Sequence, residues 1–317
     1  MRVSGNLRVG IRWSTYRIEE LREAVYSLLG ELFPGAVRGL RVLVKPNLVA
    51  PRRATLSCTH PAVVRVVCEW LLEGGAEVTV GDSPAFGTTQ AVARAGGLTR
   101  ALSDLPVRIV RFTPSRPVRL SCGVTIKLAR EALCADLIVN LPRLKAHDQL
   151  LITAAVKNLF GCVVGLQKPL LHARLGEKGD LFFRTILEVG ELLPVELNIL
   201  DAIVAMEGRG PTGGRPRELG FLLASKNAVA LDTALYLALG LSPEDVPLWK
   251  TALRMRLFGA RPEEVTLPAD LPDLSDFRLP ERLAPVSFHP LRLIRGFIKR
   301  LFMAVSRGFL CLCGRDF

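Results

Sequence analysis

One pattern constrains this chain more than any other. Short β-rich runs break abruptly into polar clusters and are separated by segments of helical length. Residues 40–44 form such a run and stop in Lys45-Pro46-Asn47. Thr59-His60-Pro61 then opens an apolar helix over 62–72, with Thr59 as the expected N-cap and Pro61 in the tolerated first turn. Gly74-Gly75 stops that helix, and a strand over 76–80 runs into Gly81-Asp82-Ser83-Pro84. Strand, helix, strand at this spacing marks a parallel βαβ unit.

The pattern recurs along the chain. A helix over 17–33 precedes the first unit, with Ile18, Leu21, Ala24, Val25 and Leu28 on one face. A strand over 135–139 breaks at 141–148, and an apolar segment through Ile152, Ala155, Val156, Leu159 and Phe160 ends at Gly161. A strand over 196–200 runs into Asp201 and is followed by a glycine-rich loop over 207–214. A strand over 221–224 and a helix over 228–239 complete the series. The expected fold class is α/β, a parallel or mixed sheet with flanking helices, in one body or two lobes. The expected divisions are an α/β domain over 1–260, a Pro- and Asp-rich irregular strap over 261–289, and a basic amphipathic helical tail over 290–317.

Composition narrows the function classes. At 317 residues and 49% hydrophobic content, the chain can offset its conformational entropy, so disorder is excluded. The net charge of +12 suits an anionic partner. Aromatics are 6%, and no run interleaves them with basic residues, so nucleic acid is not the expected partner. The cysteines contain no C-x-x-C pair, which removes zinc-ribbon and ferredoxin spacing. No apolar stretch reaches the roughly 20 residues of a membrane span. The first residues hold no apolar secretory segment, and a cytoplasmic location is expected.

In the tail, Arg292, Arg295, Lys299, Arg300 and Arg307 fall on one helical arc and Leu291, Ile294, Phe297, Ile298 and Leu301 on the other. Such a helix either lies on an anionic membrane surface or docks on the core or a second subunit.

Each strand end is polar: Lys45/Asn47, Asp82/Ser83, Lys145/His147, Asp201 and Ser225/Lys226. In open parallel sheets ligands bind at the carboxyl ends of strands. The chain holds 33 Arg and 9 Lys, yet Lys45, Lys145, Lys157, Lys168 and Lys226 lie in or beside these clusters. A compact ammonium that can also lose its proton suits a small anionic ligand. Lys145-x-His147 places a cation and an imidazole on one side of an extended segment, with His147 as general acid or base. Lys157 and Asn158 interrupt an apolar segment, where a lysine must be paired or lowered in pKa. The expected catalytic groups are therefore His147, Lys145 and Lys157. Lys45, Asn47, His60, Ser83, Asn158, Lys168, His172, Gly208 and Gly210 are candidate ligand contacts. Asp82, Asp201 and Glu207 can hold Mg2+ through carboxylate oxygens or can balance the lysines.

These motifs carry a resemblance. Val44-Lys45-Pro46-Asn47-Leu48, Thr59-His60-Pro61, Gly81-Asp82-Ser83-Pro84, Pro142-Arg143-Leu144-Lys145-Ala146-His147, Lys157-Asn158-Leu159-Phe160-Gly161, Met206-Glu207-Gly208-Arg209-Gly210-Pro211 and Ala230-Leu231-Asp232 resemble, in order, the domain-of-unknown-function 362 family of bacteria and archaea. The match covers roughly residues 40–240. Many members look like iron–sulfur proteins with a ferredoxin-like module near the C-terminus. This chain departs there, because Cys311 and Cys313 supply two thiolates where a cluster takes four. An iron–sulfur cluster bound by this chain alone is therefore not expected. Two functions remain: an enzyme acting on a small anionic metabolite, or a non-catalytic binding or redox-accessory protein without the cluster module.

Overall fold

The computed structural model describes residues 7–286 apart from Pro34 and Leu166. The tail over 290–317, with Cys311 and Cys313, lies outside the described residues.

The strands are β1 (Leu7–Trp13), β2 (Arg41–Pro46), β3 (Glu77–Asp82), β4 (Arg108–Arg111), β5 (Pro114–Arg119), β6 (Thr125–Ala129), β7 (Leu137–Leu141), β8 (Arg143–His147), β9 (Leu151–Thr153), β10 (Val195–Glu207), β11 (Arg215–Ser225) and β12 (Val265–Thr266). The helices are α1 (Ile18–Leu32), α2 (Ala54–Ser57), α3 (Pro61–Glu73), α4 (Thr89–Ala95), α5 (Leu98–Ala101), α6 (Arg130–Leu133), α7 (Ala155–Leu159), α8 (Gln167–Leu175), α9 (Leu181–Glu191), α10 (Ala228–Ala238) and α11 (Pro247–Arg254).

Ten strands form one mixed sheet in the order β12-β1-β11-β10-β7-β2-β3-β4, with the β8–β9 hairpin continuing beside β10. β10, β7, β2, β3 and β4 run parallel, while β11 is antiparallel to both β10 and β1. β5 and β6 form a separate hairpin. The parallel strands are apolar on both sides because both sides are covered. Val42 and Val44 face a core shared with α1 and α3, whereas Leu43 faces a second core shared with α7, α9 and α10. From β2 the chain adds β3 and β4 on one side and returns to place β7 on the other. This reversal makes the carboxyl ends of β2 and β7 the topological switch point of the sheet, where open α/β sheets bind ligands.

The expected helices and parallel strands are present, with four differences. The N-cap of α3 is His60, whose Nδ1 accepts the Ala62 N–H at 3.3 Å. Thr59 instead accepts the Asn47 N–H (2.8 Å) and donates to the Leu141 carbonyl (2.6 Å), tying β2 to β7. The break over 141–148 is not a loop: β8 extends the line of β7 and turns into β9. Asp201 is interior to β10 rather than at its end. Antiparallel β11 carries Lys226 away from the shared edge, its ammonium 5.5 Å from the centre of the Phe33 ring past the end of α1.

The strap contributes a short helical turn (Pro262–Glu264) and β12, and it buries Leu274 and Phe277 in the core.

Candidate functional site: a cationic nest at the switch point

β2 ends on a fully buried Lys45, whose ammonium pairs with Asp82 Oδ1 at 2.8 Å. Asp82 ends β3, and its Oδ2 accepts the Leu48 N–H at 2.8 Å. Gly161 is required here, because a Cβ on it would collide with Asp82 Oδ1 and Lys45 Nζ.

A line of amides runs beneath this pair. Lys145 donates to Asn47 Oδ1 and to the Ser57 carbonyl (2.6 Å). Asn47 Nδ2 donates to Asn158 Oδ1 at 2.6 Å, Asn158 Nδ2 to Asn140 Oδ1 at 2.8 Å, and Asn140 Nδ2 to Asn198 Oδ1 at 2.8 Å. Every amide in the line donates in the same direction, which fixes each side chain and satisfies its buried polar atoms. Asn158 is placed by the short helix α7, whose first two N–H groups, Ala155 and Val156, donate to the Asp232 carboxylate at 2.7 and 3.1 Å.

Lys157 leaves the same helix beside this line, its ammonium 4.4 Å from the centre of the Phe160 ring. Burial pushes its pKa down to about 7, and the charges of Lys168, Lys145 and Lys45 add to the shift. Lys145 is likewise pushed down to about 7, first by burial and then by Arg143 and Lys45.

Two imidazoles close the group. Burial, then Lys157, His172 and Lys145, drive the His147 pKa well below its ordinary value. Burial and Lys157 bring His172 down to about 3. Both rings are neutral at pH 7, and their partners set opposite tautomers. His147 Nδ1 accepts the Gln149 N–H at 3.1 Å, so its proton sits on Nε2. His172 Nδ1 faces the Val286 carbonyl at 3.2 Å, which can only accept, so its proton sits on Nδ1. The end of the strap lies over this region. Gln149 Nε2 donates to the Pro285 and Val286 carbonyls at 2.7 and 3.2 Å, and the Ala284 N–H donates to Asp148 at 2.6 Å.

Of the candidates read from the sequence, Lys45, Asn47, Asp82, Lys145, His147, Lys157, Asn158, Lys168 and His172 gather here, and Ser83 joins through its carbonyl, which accepts from Lys168. His60 and Asp201 belong to a second cluster. Asp201 accepts from Arg143 Nη1 at 2.8 Å, the Tyr16 hydroxyl at 2.8 Å and the His60 N–H at 2.9 Å, with Tyr16 stacked on His60. Glu207, Gly208 and Gly210 lie at the β10–β11 connection. The Gly208 N–H donates to the Arg278 carbonyl at 2.7 Å, and Gly210 packs on the Ala146 carbonyl too closely for any side chain. Asp82, Asp201 and Glu207 stand apart: β7 and β2 separate the strands of the first two, and five residues of β10 lie between the last two. Among the described residues no three His, Cys, Asp or Glu side chains converge as a metal site.

Reading the sequence missed Asn140 and Asn198, and it quoted Asp232 only within the Ala230-Leu231-Asp232 motif, with no role in the site. Asn140 was visible as the lone polar residue of the apolar run 137–141, and Asp232 as the one charge in 228–238.

Comparison with known proteins agrees with this arrangement of motifs. The family model described as Domain of unknown function (DUF362) matches residues 42–236, a span that runs from β2 into α10. The chain belongs to the DUF362 family. A thylakoid-associated protein of Synechocystis is 38% identical over 270 residues, covering 84% of each chain. Among solved structures, the lactate racemase apoprotein of Thermoanaerobacterium thermosaccharolyticum aligns with a TM-score of 0.45 at 13% identity, over 71% of this chain. A Thermotoga maritima protein aligns with a TM-score of 0.40 at 14% identity, over 64% of this chain. The DUF362 chain spans 54% of the length of each of these two structures, and neither transfers a residue role.

Proposed function

We propose that this DUF362 protein is an enzyme that takes a small anionic metabolite into the nest at the switch point. One observation carries the reading: Lys45 pairs with Asp82, Lys168 reaches the neighbouring Ser83 carbonyl, and beside them Lys145 and Lys157 are both buried and pushed down to about 7. Lysines held this way gain their protons back when an anion enters. Lys45 and Lys145 are fixed by Asp82, Asn158 and Asn47, so they set the field, while Lys157 contacts the anion. His147 Nε2–H donates a hydrogen bond to the substrate, and the neutral ring of His172 lines the site beside Lys157. Asp82 balances charge in this reading, and no step is routed through Mg2+. The strap end at 284–286 shields the reacting group from water.

Turnover tests the proposal. Anions that raise the melting temperature, drawn from phosphate- and carboxylate-bearing metabolites, are followed by mass spectrometry with the wild type and His147→Ala. The enzyme reading expects binding by both and conversion by the wild type alone. Binding without conversion of any bound anion by the wild type assigns the protein to the non-catalytic carrier or redox-accessory class instead.

A membrane-surface location is the second part of the proposal. The Synechocystis relative is named for its association with thylakoids. Among the described residues no helix is long and apolar enough to cross a membrane, so contact with the surface is the form the proposal takes. The basic tail over 290–317 is one candidate for that contact.

A further inference from the structure

Residues 105–130 contain Arg108, Arg111, Arg116, Arg119, Lys127 and Arg130 and no Asp or Glu. In the fold they are the edge strand β4, the β5–β6 hairpin and the start of α6, and all six are exposed. Elsewhere surface arginines find carboxylates, as in Arg22–Glu69, Arg41–Asp136 and Arg65–Asp104. None of the six forms an ion pair among the described residues. The next acid along, Glu131, instead accepts from the N–H and hydroxyl of Thr113 at 2.9 and 2.6 Å. In the hairpin Arg119 stands opposite Thr125 and Pro117 opposite Lys127, while Val118 and Ile126 make the alternate pair against the core. The pleat therefore puts Arg119 and Lys127 on the outer side.

A second observation concerns apolar surface. Phe86 is 63% exposed and Leu170 is 44% exposed. Leu170 lies on α8, and Phe86 lies on the loop after β3. The Lys127 N–H donates to Gln167 Oε1 at 2.7 Å at the start of α8, and Lys168 donates to the Ser83 carbonyl at the start of the Phe86 loop. Arg111 pairs in register with Asp82, which brings β4 to the same edge. α8 therefore touches both the hairpin and the Phe86 loop, and the three make one rim.

We infer that this rim docks on an anionic bilayer surface, with Phe86 and Leu170 entering the headgroup boundary and Arg116, Arg119 and Lys127 contacting lipid phosphates. The inference rests on the membrane-surface reading above and assigns it to a face other than the tail. Apolar side chains beside unpaired cations match an interface that is negative outside and apolar inside. Nucleic acid offers nothing for Leu170, and one phenylalanine is no stacking platform for bases.

The test is sedimentation of the full chain with phosphatidylglycerol-rich or phosphatidylcholine vesicles. The wild type pellets with the anionic vesicles. The triple variant Arg116→Ala/Arg119→Ala/Lys127→Ala partitions on the order of 100-fold less, since each surface cation contributes about fivefold. Phe86→Ser lowers the part of the binding that survives high salt, where charge is screened. These side chains are exposed, and unchanged thermal unfolding checks that each variant folds. Anionic-vesicle binding that is equal in wild type and both variants overturns the docking face and leaves the membrane reading standing. Failure of the wild type to bind anionic vesicles, or RNA binding in its place, overturns both.

Discussion

Lys45 and Asp82 show why the first strand ends where it does. A buried ammonium is tolerated because a carboxylate lies 2.8 Å away and amides fill the remaining geometry. Removing one partner leaves the other charge buried and unpaired, so Lys45→Met is expected to destabilise the fold by about 3–5 kcal/mol in urea unfolding. The double variant Lys45→Met/Asp82→Leu recovers most of that loss, because it removes the stranded carboxylate as well. Gly161→Ala forces a methyl group against the same pair and is expected to weaken anion binding even where the fold survives. Lys145 and Lys157 give the site its pH dependence. Folded, they release protons near 7, whereas the unfolded chain holds them until about 10.5. Between those values the unfolded state binds more protons, so stability without ligand rises as pH climbs from 7 toward 10.5, and the penalty is complete below 7. Urea midpoints measured across that range check the sign.

Elements differ in how much of them the sequence disclosed, and the reasons are physical. α1 and α3 were legible because their apolar residues recur at helical spacing. β2 and β3 were legible because a short apolar run ends at Pro46 or Asp82. β8 was not, since Arg143-Leu144-Lys145-Ala146-His147 is polar at alternate positions, as a surface loop would be. Its polar side chains are buried because Arg143 pairs with Asp201 and Lys145 bonds Asn47 and the Ser57 carbonyl, tertiary contacts that no local pattern carries. β1 was missed for a similar reason: it lies between β12 and β11, and both pairings come from more than 200 residues away. The nest itself was half legible. The lysines and His147 stood out by composition, while the amide line through Asn140 and Asn198 depends on register between strands. Asp232 belongs to this scale, since it holds the N-terminus of α7 and so the position of Lys157 and Asn158. Asp232→Ala strands two helix N–H groups and is expected to cost about 2 kcal/mol. Asp232→Asn keeps one acceptor and costs less, and calorimetric unfolding of both variants separates cap from charge.

At the scale of the whole molecule, sheet order explains why these residues meet. The reversal between β2 and β7 opens the carboxyl edge, Thr59 ties the two strand ends together, and the strap covers the opening from the far side of the sequence. The central claim is that the nest is an anion site whose lysines are poised near neutrality. Calorimetric titration of the full chain with inorganic phosphate and with a small carboxylate, at a series of pH values across 7, tests it most directly. The account predicts saturable binding of one of the two below pH 7. Its affinity falls about tenfold per pH unit above 7 for each lysine that must be charged, and it is lost in Lys157→Met. Binding that is independent of pH and unchanged in Lys157→Met, or no binding of either anion, would contradict it.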